Sequence, residues 1–383
     1  MNEKTTARVA PFAMDLVFTM YYLAAPLLLV DLKANPIQLG LVGALASSVH
    51  MGMAHLMGRL SDRLGRRRLI VAAPLTFLAT CLLMTRMTDI RIILAFSVVN
   101  GLGLSIYWPS LQAWIADHPS GPEQKSLARD IGTFNLSWTA ATLAGPIFSG
   151  FLYSLNPRLP FLVAAVIALA LFMLVFTSVH EGEFRSAEKA SAMDTAASDR
   201  QKGFLYAAWA ANFASWFIMG NARYQFPKLA RELNIPHHTI GLLLGFIGLA
   251  LFIGFFLLRR TDHWLFSRKY LFGAQILALA GISLLILSKA SALFALGFVM
   301  IGFSCSVTYY SSLYYAVHLL KKRGRGTGLH ESILGGGAVL GPILGGVAAQ
   351  YAGLRAPYLL CFAVLVTALG IESLFLTKGK RAA

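Results

Sequence analysis

Gly58-Arg59-Leu60-Ser61-Asp62-Arg63-Leu64-Gly65-Arg66-Arg67-Arg68-Leu69 is a short basic interruption between two long apolar blocks. Its residue types describe a turn between helices. Gly58 has no side chain and lets two helices approach closely. Gly65 can take the left-handed backbone that a tight turn requires. Asp62 offers a carboxylate to the positive end of a helix dipole. Arg66, Arg67 and Arg68 are placed to face anionic lipid headgroups.

The sequence on either side of this turn makes the membrane the only sensible solvent. The chain has 383 residues, of which 57% are hydrophobic and 13% charged, with mean hydropathy +0.64. Soluble proteins carry about a quarter charged residues, so this chain has too little polar surface to cover a soluble core. A bilayer-spanning helix needs roughly 20 mostly apolar residues. Twelve such blocks follow one another, near 9–30, 36–57, 69–87, 92–116, 129–153, 159–179, 204–227, 238–258, 270–288, 292–319, 327–351 and 356–377.

The net charge of +16 would suit a nucleic-acid binder, but its placement argues otherwise. With a cytoplasmic N-terminus, even-numbered spans return to the cytoplasm. The cytoplasmic segments then carry 24 of the 33 basic residues, among them Arg59–Arg68, Lys125, Arg129, Arg259–Lys269, Lys321–Arg325 and Lys378–Arg381. Such a bias orients helices during insertion. No nucleic-acid partner is expected, and both termini are expected in the cytoplasm. The polar start, Met1–Arg8, has no small-residue cleavage site after it and reads as the lead-in to a retained first span. Cys81, Cys305 and Cys361 all lie inside apolar blocks, so no disulfide framework is expected.

The one long polar segment, His180–Lys202, lacks an apolar period and reads as a linker between two sets of six spans. The sets resemble each other. Tyr107-Trp108-Pro109-Ser110-Leu111 closes the fourth span, and Tyr309-Tyr310-Ser311-Ser312-Leu313 occupies the matching place in the tenth. Arg129 precedes Gly145-Pro146 by sixteen residues, and Arg325 precedes Gly341-Pro342 by sixteen. Pro26 and Asp31 correspond to Pro227 and Glu232. A duplicated six-helix unit is the economical explanation, with a ligand site between the repeats near the midplane.

The stretch from Gly58 to Leu69 closely resembles the loop 2–3 signature of the major facilitator superfamily, G-x-L-a-D-r-x-G-r-k-x-x-l. That resemblance implies an all-α membrane protein of twelve transmembrane helices in two pseudo-symmetric six-helix bundles. The divisions expected here are residues 1–180, a cytoplasmic linker at 181–202, and residues 203–383. It also implies gating roles for Gly58, Asp62, Arg63, Gly65, Arg66 and Arg67. Asp62 would meet the start of the eleventh helix near Gly326–Gly328 and steady an outward-open state. The second copy, Arg259-Arg260-Thr261-Asp262 with Arg268-Lys269, lacks both glycines. Gly337, Gly341, Pro342, Gly345 and Gly346 look like the family's g-x-x-x-G-P-x-x-G-G motif, which exporters carry in the fifth helix. That helix here has the weaker form Ala141, Gly145, Pro146, Ser149 and Gly150. Helix packing is the plainer reading of these glycines. The family's fourth-helix arginine is replaced by Ser97, with Asn100 where glutamine is usual, which counts against the common proton-antiport arrangement.

Ionisable groups in hydrocarbon are costly and usually face a cavity or a partner. Asp15 in the first span, Arg223 toward the outer end of the seventh and Glu331 in the eleventh are the charged site candidates. In this family helices one, four, seven and ten surround the cavity. Asp15 would bind a cation or carry a coupled proton, or else bond a neighbouring helix. Arg223 would bind an anion or snorkel outward. Glu331 would belong to the pathway or to a gate with Arg325 or Arg129. Tyr107, Trp216, Tyr310 and Tyr314 are the aromatic candidates, chosen because rings on these helices suit aromatic or cationic solutes. His50 and His55 share no helix face well and lack a third ligand, so no metal site is expected.

The leading reading is a secondary transporter in the bacterial inner membrane. It would export a small metabolite or drug, with uptake of a sugar or organic acid, or lipid flipping, as the alternatives. The chain has no G-x-x-x-x-G-K-[ST] phosphate loop, so the driving energy would come from an ion or substrate gradient. No cofactor and no enzymatic set of residues is expected. The expected partners are a small-molecule substrate, a coupled proton or other ion and membrane lipids, and the chain is expected to act as a monomer.

Overall fold

A computed structural model describes residues 3–117, 123–180, 198–320 and 323–381. All its described elements are helices: α1 (Glu3–Asp31), α2 (Pro36–Leu64), α3 (Arg66–Met84), α4 (Ile90–Asp117), α5 (Glu123–Leu155), α6 (Leu159–Ser178), α7 (Asp199–Tyr224), α8 (Phe226–Glu232), α9 (His237–Leu258), α10 (Arg268–Leu287), α11 (Ser291–Leu319), α12 (Arg323–Ala352) and α13 (Ala356–Arg381). Twelve are 19 to 33 residues long, and α8 has seven. Most of the linker expected at 181–202 lies outside the described residues. So do the side chains of Lys125, Arg129 and Arg325.

Ten of the twelve long helices are long and apolar enough to cross a bilayer. The other two, α5 and α7, are more polar for a structural reason. Their polar side chains, such as Thr139, Thr142 and Ser149 on α5 and Asn212, Ser215 and Asn221 on α7, are buried against neighbouring helices. Without water in the bilayer core such groups belong at helix–helix interfaces. Successive long helices run in opposite directions. The start of α1, the end of α13, the turns at 65 and 259–267, and the start of α12 therefore share one face, called the terminal face below. The turns at 32–35, 233–236 and 353–355 mark the distal face.

Local chemistry sets several boundaries. Asn35 and Gln38 form a capping box at the start of α2, each side chain bonding the other's backbone N–H at 2.9 Å. Ser198 and Gln201 do the same for α7. Gly65 ends α2 with φ of +93°, a backbone that residues with a Cβ rarely adopt. Gly58, by contrast, leaves room for a side chain, since an added Cβ would sit 3.8 Å from Pro109 Cβ. The close approach expected there is not made.

The short helix α8 was not foreseen. The seventh apolar block breaks at Gln225, which turns inward and donates to Pro36 O at 3.1 Å and Pro342 O at 3.3 Å. Pro227 then sits in the first turn of a new helix, where it needs no N–H partner. Its counterpart in the repeat, Pro26, lies inside unbroken α1.

Helices α1–α6 meet α7–α13 along a glycine-lined seam at the distal side. A Cβ added at Gly150 of α5 would fall 2.6 Å from His237 O and 2.8 Å from Gly241 Cα on α9. One added at Gly346 of α12 would fall 2.6 Å from Pro36 O on α2, and Gly40 of α2 lies directly against Pro342 O. Polar bonds stitch the same seam. Lys228 Nζ donates to Ala34 O at 2.8 Å, and His238 N–H donates to Ser154 Oγ at 3.0 Å. Toward the terminal face the described close glycine contacts between the two sets end at Gly248 on α9 and Gly335 on α12. The molecule is closed distally and open terminally.

Replacing Gly150 by Val forces α5 and α9 apart, an overpacking cost of about 1–3 kcal/mol for the closed seam. In a background lacking Cys81, Cys305 and Cys361, a Ser47→Cys reporter, placed on α2 where it lines the space between the two sets, is expected to react with an impermeant thiol reagent from the terminal side only. Adding Gly150→Val should expose it to the distal side. Unchanged labelling would show that the seam is not the barrier.

Candidate functional site

The space between the two sets of helices forms a cavity of about 160 Å3. It continues toward the terminal face, where Gln112 and Glu331 on its wall are exposed. Asp15, Arg223, Glu331 and Trp216 all line this cavity. They come from α1, α7 and α12.

Asp15 is 5% exposed, and its Oδ2 accepts a hydrogen bond from Thr142 Oγ1 of α5 at 2.8 Å. Thr19, one turn further on, donates to Asp15 O at 2.6 Å. Gly145 packs directly on Thr19, so α5 holds α1 where Thr142 can reach the carboxylate. Asp15 thus has a single side-chain partner in a cavity wall. Arg223 lies two turns beyond Trp216 on α7, and its guanidinium leans back over the Trp216 ring, 5.7 Å from the centroid. That direction follows from the tilt of helical side chains toward the helix N-terminus. Arg223 and Glu331 make no ion pair among the described residues.

The remaining wall is aromatic. Trp138 of α5 contacts the rings of Tyr309 and Phe255 at 6.0 and 5.8 Å. Trp108 lies edge-on to Phe134 at 5.8 Å, and Tyr22 to Tyr224 at 5.7 Å. The indole N–H of Trp216 and Nδ1 of His50 are buried without a partner, both in residues of the cavity wall.

Three sequence-selected tyrosines do not line the cavity. Tyr107 is fully buried, and its hydroxyl donates to Ala10 O at 2.9 Å, tying α4 to α1. Tyr310 and Tyr314 turn away from the cavity to pack on Trp264, at 5.2 and 5.3 Å. With Tyr315, whose hydroxyl accepts from the Phe266 N–H at 2.9 Å, they dock the 259–267 turn onto α11. Period explains the split: adjacent helical positions diverge by 100°, so Tyr309 faces the cavity while Tyr310 cannot.

The residues expected to gate lie apart from the cavity at the terminal face. Asp62 is about half exposed and pairs with Arg66, one turn on, at 3.8 Å. Arg66 is itself largely covered, and Arg67 turns inward to α6. There it donates from Nε to Val179 O and from Nη2 to Phe176 O, both at 2.8 Å. These two arginines do not face headgroups, whereas Arg63 and Arg68 are exposed. Of the partner segment expected for Asp62, Gly328 is exposed with open space around it, and the surroundings of Gly326 and Thr327 lie outside the described residues. Gly337, Gly341 and Gly345 all pack α12 against α7, at Phe213 O, Phe217 O and Asn221. Pro146 O faces Gly241 in the seam. Among the described residues no group of His, Cys, Asp and Glu could hold a metal, and the three cysteines are unlinked and buried.

Several lining residues were missed in the sequence. Thr142 gave a usable signal, a hydroxyl in the helix beside the one carrying Asp15. Gln112 and Phe134 gave none, Phe134 being one of 26 phenylalanines.

Three of the six tryptophans, Trp108, Trp138 and Trp216, line the cavity. A bound planar aromatic cation is therefore expected to quench intrinsic fluorescence, and replacing these three by Phe should remove most of the quench. A quench retained by the triple variant would place binding elsewhere.

The Major Facilitator Superfamily family model matches residues 9–220 and again 208–382. The quinolone resistance protein NorA of Staphylococcus aureus is 24% identical over 156 residues, 41% of this chain and 39% of that protein. Multidrug resistance protein 1 of Bacillus subtilis is 25% identical over 158 residues, 41% of this chain and 40% of that protein. The matches thus span about two-fifths of each relative. A solved variant of the nucleoside transporter NupG superposes with TM-score 0.74 at 13% identity, covering 98% of this chain and 99% of that one. A bacterial homologue of the human lysosomal transporter Spinster, inward-facing and occupied, gives TM-score 0.74 at 15% identity, covering 97% and 95%.

Proposed function

The chain belongs to the Major Facilitator Superfamily, a family of transporters, and on that premise we propose that it exports a small, moderately apolar organic solute carrying an aromatic ring. The observation that carries this reading is the one-sided cavity, walled by Trp108, Trp138, Trp216 and Tyr309 and holding the carboxylates of Asp15 and Glu331. Aromatic walls favour ring-bearing solutes through stacking, and cationic ones through the ring quadrupole.

The terminal face carries the basic turns, and the charge rule makes it cytoplasmic, in the inner membrane of a bacterium. The cavity then fills from the cytoplasm. Export follows when the distal seam opens and the terminal side closes, the two sets of helices rocking about the bound solute. Asp15 is the coupling residue in this scheme. It is buried, faces the cavity and among the described residues takes a side-chain hydrogen bond from Thr142 alone, so a proton can reach it and reside there. The small relatives named for quinolone and multidrug resistance support the outward direction.

The test is transport in proteoliposomes. An imposed proton gradient is expected to drive accumulation of a planar aromatic cation such as ethidium. Asp15→Asn should slow gradient-driven transport about tenfold or more, 1.4 kcal/mol or more in the barrier, while exchange between loaded vesicles persists. Accumulation equal to that of protein-free vesicles would refute the reading.

A further inference from the structure

The cavity holds charges of both signs that do not pair with one another. Arg223 makes no ion pair and no hydrogen bond among the described residues; its guanidinium leans over the Trp216 ring and acts on the Asp15 carboxylate only at longer range. Glu331 likewise has no polar partner there, and it is exposed on the cavity wall. An unpaired charge at membrane depth is costly. The cheapest remedy within the fold would be to join the two groups. The packing of α7 on α12 forbids it.

These two helices run the same way and are locked in register at backbone distance. Gly337 lies against Phe213 O, Gly341 against Phe217 O, and Gly345 against Asn221. That register sets Arg223 about sixteen residues beyond the level of Glu331, or roughly 24 Å along the axis at 1.5 Å per residue. The lean of the arginine side chain toward Trp216 shortens the gap without closing it. Between the two charges lie the rings of Trp138, Trp216 and Tyr309. At the arginine end the buried, unpartnered indole N–H of Trp216 adds a second donor.

Building on the transport reading above, we infer that the site is complementary to an aromatic zwitterion with its charges at opposite ends. The acid group lies distally on Arg223 and the Trp216 N–H. The ring system lies along the aromatic wall. The basic group lies terminally on Glu331. Asp15, bonded by Thr142, stays available for the coupled proton. A ligand of this kind neutralises both groups at once, whereas a simple cation leaves Arg223 with only the more distant, Thr142-bonded carboxylate of Asp15, and a simple anion leaves Glu331 unmet. Charge pairs made in a water-poor cavity discriminate strongly because an unmatched partner stays desolvated and unpaired.

The test uses three matched probes on the purified full-length protein, read by tryptophan quenching. They are an aminomethyl-biphenyl-carboxylate with its charges at opposite ends, its methyl ester, which is only a cation, and its N-acetyl derivative, which is only an anion. The zwitterion is expected to bind about tenfold or more tightly than either derivative, 1.4 kcal/mol or more. Arg223→Gln should erase the preference over the ester, and Glu331→Gln the preference over the N-acetyl acid, while Arg223→Lys retains part of the first. Should a variant not be monodisperse, the ranking of the three probes on the parent decides by itself. A parent that binds the ester or the N-acetyl acid as tightly as the zwitterion overturns the inference. If that parent still accumulates ethidium, the transport reading stands; a parent that neither binds the probes nor accumulates ethidium loses both.

Discussion

Backbone-distance contact between glycine-lined helices at one end of the molecule is the constraint on which the rest depends. Gly150 against Gly241 joins α5 to α9, and Gly40 and Gly346 join α2 to α12. In a lipid environment apolar side chains gain little from leaving the solvent, because the solvent is itself apolar. Association then relies on close packing and on hydrogen bonds. The seam uses both, since Gln225, Lys228 and Ser154 bond across it beside the glycines. A joint built this way is tight only where the small residues lie. They lie distally, and so the space between the two sets of helices becomes a chamber with one mouth.

Polar residues follow the same logic. The bilayer penalises groups without partners, so many polar side chains at membrane depth bond another helix or face the chamber. Ser215 and Thr308 bond each other at 2.8 Å between α7 and α11, and Thr80 bonds Asn100 at 2.8 Å between α3 and α4. Glu372 is completely buried between α13 and α10, where Gln275 donates to it. Asp15, Arg223 and Glu331 take the other course. They are the three charged residues on the cavity wall, and their cost is tolerated where water or a ligand can reach them.

The fold was legible because the signals that carry it are long or local. Twelve apolar blocks, each long enough to cross a bilayer, leave few architectures open, and the turn at Gly65 could be read from a dozen residues. The site was legible in part. Charged residues in apolar blocks stand out against their surroundings, which is why Asp15, Arg223 and Glu331 were selected. Aromatic residues do not stand out in this way. Tyr309, Tyr310 and Tyr314 look alike in the sequence, and only the rotation of α11 decides which of them meets the cavity and which meets Trp264. Likewise the break at Gln225 depends on carbonyls supplied by Pro36 and Pro342, both more than a hundred residues away. No local pattern announces a partner at that distance.

The residues that reveal the family explain why the two ends of the chamber oppose each other. Arg67 binds the last carbonyls of α6 through Val179 and Phe176, bracing the terminal end of α3 against α6. Asp62, at the tip of α2, has its charge met within its own turn by Arg66 and stands half exposed. Helix α2 is a single unbroken helix of 29 residues, touching α12 at Pro36 and Gly346 distally and at Met51 and Gly335 near mid-depth. It behaves as a stiff lever. Swinging its Asp62 end toward the start of α12 rotates it about the mid-depth contact and lifts Pro36 away from Gly346. The same holds for α5 on α9, whose glycine contacts run from Gly150 as far as Gly248, with the Trp138–Phe255 ring contact lying beyond them. Rigid helices that touch over half their length can close at one end or the other. Geometry alone keeps both ends from closing together, as the proposed transport cycle requires.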